Sequence, residues 1–261
     1  MGQRIATHGV DAAPAPIPSS NLVLRALAKA DRLLLEKGAE PLHLRRGDAL
    51  IEVGQPLDAL FFPETTLLTI AKGLGDQAEI AVVGREGFAG WSLLLGAKCA
   101  GHSVAVSTRD GCILRVGFDV VRKALGSSPT LRIALLAFVE VLTVQMGTSI
   151  RSTACDHLDV RIARWLLMRH DRVGGDELLV CHAEMAAGLG IRRASVTDTL
   201  HIFEGDGLVR CRRGQILIRD RDRLEKLAAG SYGEPERCYK ALIGPCEKFR
   251  AISEGSQRAS A

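Results

Sequence analysis

The stretch from Ser128 to Ala154 constrains the fold more than any other part of the sequence. Ser128 offers an N-cap and Pro129 the first helical position, and the run that follows carries only Arg132 and Glu140 as charges before Arg151. Leu131, Leu135, Phe138, Leu142 and Met146 recur at spacings of 4, 3, 4 and 4, while Ile133, Leu136, Val141 and Val144 cover much of the remaining surface. A helix that is apolar nearly all round must be covered on two sides. The preceding part of the chain can cover one side, and a second copy of the helix is the simplest cover for the other. The stripe Leu131, Leu135, Phe138, Leu142 and Met146 is therefore assigned to a homodimer interface, with a core helix inside one chain as the alternative, because periodicity does not name the partner. The most hydrophobic part, Ala134 to Met146, covers 13 residues and includes Glu140. A membrane span needs about 20 residues, so no membrane association is expected.

The long helix separates two regions of different character. Residues 21–37 place Leu24, Leu27, Leu34 and Leu35 on one face of a single amphipathic helix that stops at Gly38. From Leu42 to about Val120 the pattern changes to short runs of Leu, Ile, Val and Phe punctuated by Gly47-Asp48, Gly54, Gly73, Gly75-Asp76, Gly84, Gly87 and Gly90. Short strands at regular turn intervals predict a small barrel or sandwich. Beyond the long helix, Leu158, Ile162, Trp165 and Leu166 define another amphipathic helix that closes at Arg172, before Gly174-Gly175.

Residues 181–209, CHAEMAAGLGIRRASVTDTLHIFEGDGLV, read as helix, tight turn, helix. Met185, Ala186 and Leu189 face inward; Ala186 is small enough for close helix approach, and Gly190 supplies a turn conformation costly to other residues. In the second helix Val196, Leu200 and Phe203 recur at i, i+4 and i+7, leaving Ala194, Thr197, Asp198 and His201 on the opposite face. That face is short, polar and open, as a helix in the major groove requires, and Arg192 and Arg193 stand at its start. Arg193 is the candidate for a base or phosphate contact, Ser195 for phosphate, and Thr197 and Asp198 for base-edge or positioning contacts. Next, GLVRCRRGQILIRD predicts strands Leu208–Cys211 and Gln215–Ile218 joined at Arg213-Gly214, with Arg210, Arg212 and Arg213 placed to meet phosphates. A generic two-helix corner with solubilising arginines is the alternative, which the adjoining basic hairpin disfavours.

Bulk charge does not make this argument. The net charge is +4, with 15 Lys/Arg against 14 Asp/Glu in residues 1–150 and 19 against 16 in the rest. Seven cysteines, without a C-x-x-C pair or a signal peptide ahead of them, read as free thiols of a reducing cytoplasm. No P-loop, G-x-S-x-G or H-E-x-x-H motif occurs, and adjacent Asp156 and His157 do not face each other on a helix, so an enzyme is not expected.

With these elements in place, the sequence resembles the Crp/Fnr family of bacterial regulators over about residues 21–230. GIRRASVTDTL with the following EGDGLVRCRRGQILI carries the resemblance most specifically, supported by VVGREGFAGWSLLLG and by the long helix. The resemblance implies an α+β chain: a flexible arm (1–20), a β-roll sensor of the cyclic-nucleotide-binding-like jelly-roll type (21–126), a dimerisation helix (127–155), a winged helix-turn-helix (156–230) and a tail (231–261). It also implies a homodimer on a palindromic promoter site, with double-stranded DNA, a second copy, RNA polymerase and a small-molecule effector of unknown identity as partners. The effector-pocket candidates are Gly84, Glu86, Gly87, Gly90, Trp91, His102 and Ser103.

Departures from the family pattern narrow the expectation. Members that bind cyclic AMP carry an acid for the ribose and an Arg for the cyclic phosphate, where the nearest residues here are Trp91 and His102. A neutral imidazole is a poor substitute for a bidentate guanidinium at an anion, so weak or no cyclic-AMP binding is expected. No cysteine precedes Cys99, which disfavours an N-terminal iron-sulfur cluster; Cys99 and His102 alone do not make a haem or metal site, and no cofactor or metal ligand is assigned. Cys181 stands where the family usually has a Thr N-cap, with Glu184 completing part of a capping box, and Thr199 replaces a usual apolar residue. A dimeric interaction module without sequence-specific DNA binding is the competing function.

Overall fold

The computed structural model describes residues 19–72, 78–106 and 110–244. The expected turn at Gly73, Gly75 and Asp76, most of the N-terminal arm, Cys246 and the end of the tail lie outside them. The first strands form two antiparallel sheets. One has the order β1-β7-β3, from β1 (Ala39–Leu44), β7 (Gly111–Gly117) and β3 (Ala59–Pro63). The other has the order β2-β6-β4-β5, from β2 (Ala49–Ile51), β6 (Ser103–Val106), β4 (Leu68–Ala71) and β5 (Glu79–Val83). Leu60, Phe62, Leu68, Ile70, Val104, Ile113, Leu114 and Val116 share one core, which makes this the expected β-roll. Burying each such side chain contributes about 1.5–3 kcal/mol.

Where one helix was expected over 21–37 there are two, α1 (Leu22–Ala26) and α2 (Lys29–Glu36). The chain turns extended at Leu27, ψ 146°. That break buries Leu27 and turns Asp31 of the second helix inward, where its carboxylate accepts from Ser128 Oγ at 2.6 Å and Thr130 Oγ1 at 2.7 Å. A continuous amphipathic stripe could not signal this, because the partners lie almost a hundred residues away.

After α3 (Phe118–Ser127), the long helix α4 runs from Pro129 to Cys155, and Ser128 Oγ accepts from the Leu131 N–H as the expected N-cap. The stripe assigned to the dimer is corrected by the packing. Leu131, Leu135, Phe138 and Leu142 are buried in the core of the chain's own roll, with Met146 half-buried against it. Phe138 lies against Phe88, ring centroids 5.0 Å apart, and a Cβ on Gly87 would stand 1.9 Å from its ring. The 13-residue argument against a membrane is corrected too: at 27 residues α4 is long and apolar enough to cross one by length and composition. Its packing argues otherwise. One side fills the roll and buries Gln145, Thr148 and Ser152, while the exposed side carries Arg132, Glu140 and Arg151.

The second unit comprises α5 (Leu158–His170), β8 (Glu177–Leu178), α6 (His182–Leu189), α7 (Arg193–Gly205), β9 (Val209–Arg212), β10 (Gln215–Ile218) and α8 (Arg221–Leu227). Its three strands pair in the order β8-β10-β9. Ile162, Leu166, Met185, Val196, Leu200, Phe203, Ile216, Ile218 and Leu224 form its separate core.

A last helix, α9 (Glu234–Leu242), lies along α4, and the sequence pattern did not reveal it. Tyr239 is 2% exposed and joins the core of the roll, with Cys238 and Ile243 packed beside it. The chain leading into α9 is tied down by Arg151, which donates to Ser231 Oγ at 2.8 Å, and by Ser231, which donates to Asp156. Gly87→Ala is expected to force Phe138 aside and destabilise the protein by about 1–3 kcal/mol; urea unfolding of the two proteins measures the difference.

Candidate nucleic-acid interface

The helix pair is positioned by its buried side. Gly190 closes α6 in the left-handed region, φ 64°, and its following residue Ile191 donates to the Ala186 carbonyl at 3.0 Å. Ala186 is buried and Met185 fully so; together they admit Val196, Leu200 and Phe203 of α7. Glu184 accepts the Cys181 N–H at 2.8 Å, so the acidic half of the expected capping box is present.

With that face inside, the opposite face of α7 meets solvent. Arg192, Arg193, Ala194, Asp198 and His201 are exposed, and Ser195 and Thr197 are half-buried. Arg192 occupies the N-cap without a side-chain cap, so the first N–H groups of α7 lack the intrahelical partner that a Ser or Asp would supply. Such an end, with two arginines on it, suits an anion. Beside it, β9 and β10 pair with Arg212 opposite Gln215 across the two-residue turn Arg213-Gly214, where Gly214 has φ 75°. Arg210, Arg212 and Arg213 are all exposed on this hairpin. Among the described residues none of the five arginines on α7's start and the hairpin forms an ion pair. All ten predicted DNA-contact residues thus fall on one helix and its adjoining hairpin. His201 also stands 3.8 Å from Glu204 through Nδ1.

A different set of arginines has a different task. Arg169 is paired with Glu79 of β5, donating at 3.0 Å through Nη1, and its guanidinium lies 3.5 Å from the centre of the Trp165 ring. Arg172 donates from Nε to Glu86 at 2.6 Å; burial disfavours its charge, but Glu86 beside it keeps the guanidinium protonated. Arg221 bridges to Asp171 at 2.7 Å, and Tyr232 donates to the same carboxylate at 2.6 Å. Arg46 of the roll meets Glu184 on α6. The second unit is therefore fastened to the roll by Arg169 on Glu79, Arg172 on Glu86 and Arg46 on Glu184, pairings that the sequence reading did not single out, while the Arg221–Asp171 pair lies within the second unit itself. For Arg169 and Arg172 the sequence signal is arginine at the end of a helix with an apolar face; Arg46, in the turn after β1, and Arg221, on the charged α8, have none.

The effector-pocket candidates divide into two groups. Gly84, Glu86 and Gly87 sit at the junction with α4 and α5: Glu86 accepts from Gly84 N at 3.1 Å and from Arg172, and Gly87 lies under Phe138. Glu86 is thus engaged within the chain and does not line a pocket beside the others. Gly90, with φ 89°, leads into a 3-10 turn (Trp91–Leu95), and Trp91 stacks on His102 with centroids 4.0 Å apart and planes 14° from parallel. Ser103 follows, buried, with Oγ donating to the Ala71 carbonyl. Both rings of the stack are buried, so aromatic surface fills the space between them. Among the described residues no group of His, Cys, Asp and Glu is arranged to hold a metal ion.

Residues 160–227 match the family model of the Crp-like helix-turn-helix domain. Over that stretch the chain is similar to a Crp-like DNA-binding domain. Its overall fold is that of solved Crp/Fnr-type regulators. FixK2 from Bradyrhizobium japonicum is 18% identical, with 74% of this chain and 98% of that one covered and a TM-score of 0.64. A Crp/Fnr-family transcriptional regulator from Thermus thermophilus is 20% identical over 74% of this chain and 100% of that one, with a TM-score of 0.60. The c-di-GMP-responsive global regulator CLP from Xanthomonas campestris is 14% identical over 73% and 99%, with a TM-score of 0.61. No curated protein matches the chain in sequence.

The buried stack gives the protein a pH signature. Burial, aided by Lys72, lowers His102 from the usual 6.5 to about 4. The unfolded chain takes up this proton as pH falls below 6.5, whereas the folded chain does not until about 4, so stability declines across that window. His102→Phe is expected to flatten the decline, as read from melting temperatures over the same pH range.

Proposed function

We propose that the regulator works in the cytoplasm as a homodimer that grips a palindromic promoter site, with one α7 entering the major groove of each half-site. The reading rests above all on five exposed arginines outside any ion pair, clustered on the uncapped start of α7 and the neighbouring hairpin. By contrast, the side chains of Arg169, Arg172 and Arg221 are buried and paired. Arg193 reads a base edge, Thr197, Asp198, Ala194 and His201 face the groove, and Arg192, Ser195, Arg210, Arg212 and Arg213 hold phosphates. The working division of the chain is a roll over 21–126, a dimer helix over 127–155 and a DNA-binding unit over 156–230.

The dimer face differs from the stripe expected first. On the exposed side of α4, Ile133, Leu136, Glu140, Thr143, Gly147, Ile150 and Ala154 recur at alternating spacings of 3 and 4, with Ile133 and Ile150 each 69% exposed. That is a coiled-coil seam, whose small residues allow close approach and whose Glu140 would set register at some cost in stability. Two α7 helices held about 34 Å apart would then enter successive major grooves. The signal that gates binding is not cyclic AMP, because the stacked Trp91–His102 pair offers a cyclic phosphate no bidentate guanidinium, and the nearby Lys72 is a single exposed ammonium held at the Gly101 carbonyl. RNA polymerase is the further partner this reading requires at a promoter.

Duplexes selected from a random library and measured by fluorescence anisotropy at one stated salt concentration test the reading. Arg193→Ala should weaken the selected duplex about 5- to 150-fold for each half-site, the equivalent of about 1–3 kcal/mol per arginine, and leave random DNA nearly unchanged; equal loss on both would overturn base reading. Leu136→Glu should shift sedimentation from dimer to monomer. Calorimetry with cyclic AMP should give no heat of binding at micromolar protein.

A further inference from the structure

Thr197 stands one turn along α7 from Arg193 and three residues beyond Ala194. Its Oγ1 is 3.1 Å from the Arg193 carbonyl oxygen and 3.0 Å from Nδ1 of His182, the first residue of α6. A hydroxyl has one proton. The two oxygens can sit at that separation favourably only with the proton between them, so the Thr197 O–H donates to the Arg193 carbonyl. The contact with His182 then needs its proton from the ring, which makes Nδ1–H the donor and leaves the Nε2 lone pair outward. Burial and the neighbouring Arg193 and His201 disfavour a second proton on this imidazole, with Glu204 opposing them.

The consequence is chemical. Thr197 has no proton left to give a base, and His182 occupies part of its acceptor capacity. Its methyl group is the part still uncommitted. Ala194 contributes a second methyl, exposed and at i−3, which is an adjoining position on a helix surface. Arg193 and Asp198 flank the pair with a donor and an acceptor. Thymine is the base whose major-groove edge carries a methyl group, and small apolar contacts from Ala or the Thr methyl are how a helix recognises it.

We infer that Ala194 and Thr197, the latter held by His182, form a two-methyl patch that selects thymine through its C5-methyl. His182 is a positioning residue in this arrangement: it takes one acceptor site of a Thr197 hydroxyl whose proton is already given to the Arg193 carbonyl, and so favours reading through the methyl. The inference rests on α7 being the DNA-reading helix.

Deoxyuridine, which differs from thymidine only in lacking that methyl, gives the test. In the selected duplex each thymine is replaced in turn by uracil, and anisotropy titrations use the full-length protein at one salt concentration. One uracil in a single half-site should weaken the wild-type protein about fourfold, the size expected for one buried methyl, and one in each half-site about fifteenfold. Thr197→Val should keep that uracil penalty, whereas Thr197→Ser, which leaves only the Ala194 methyl, should cut it by at least half. His182→Ala should shrink the penalty with its melting temperature held, and His182→Gln, whose amide can donate, should restore it. If Thr197→Ser keeps the penalty, Thr197→Val abolishes it, or no thymine is sensitive, the methyl patch is overturned while base reading by Arg193 stands. If Arg193→Ala also leaves the selected affinity unchanged, the DNA-reading helix itself is misassigned and both conclusions fall.

Discussion

Everything in this molecule hangs on the burial of one stripe of α4 in the roll that precedes it. Leu131, Leu135, Phe138 and Leu142 enter a core that already holds Phe62 and Phe88, and Gly87 lacks a Cβ so that the Phe138 ring can descend onto its backbone. A close-packed interior accepts one arrangement of such a contact rather than a continuum. Seating this stripe fixes the rotation of the helix. It thereby decides that Ile133, Leu136, Thr143, Gly147 and Ile150 face outward, and that α5 leaves from a set position beside β5.

The same seating explains the charged layer between the roll and the DNA-binding unit. Glu79–Arg169 and Glu86–Arg172 are buried ion pairs, with every side chain of the four at most 7% exposed. Pairs of this kind add little net stability, because desolvation offsets most of their attraction, but losing one partner strands a charge and costs about 3–5 kcal/mol. Their effect is on geometry: alternative dockings of the two units would separate the partners. The glycine-rich segment around Gly84, Glu86 and Gly87 is therefore occupied in holding domains together, and the Trp91–His102 stack lies apart from it.

How much of this was legible follows from how local each signal is. Ser128-Pro129, Gly190 and the i, i+4, i+7 series of Val196, Leu200 and Phe203 act within a turn or two of chain, and each formed where the sequence placed it. The first wing strand shifted by one residue, the second fell where expected, and β8 joined them unannounced. The dimer stripe misled because an apolar face states that it will be covered without naming the cover. The break at Leu27 depended on Asp31 finding Ser128 and Thr130, and Glu86 depended on Arg172; both are partnerships across 86 residues or more. Arginine letters alone could not separate the buried Arg169 and Arg172 from the solvent-facing Arg193 and Arg213, since the local pattern around them is similar. The hydrogen bond between His182 and Thr197 joins two helices across a turn whose geometry only coordinates supply.

The last helix carries an implication for biosynthesis. Tyr239 completes a core whose other members lie between residues 23 and 142, so the N-terminal roll receives one of its largest fully buried side chains from near the end of the chain. On the ribosome, residues of the DNA-binding unit emerge between the two halves of this contact, and the gap must be bridged by a long closed loop. The roll thus stays incomplete, its apolar floor open, until translation has passed the helix-turn-helix. A message truncated just beyond the wing would yield a product with its second unit made and its roll unsealed, a species prone to aggregation or proteolysis.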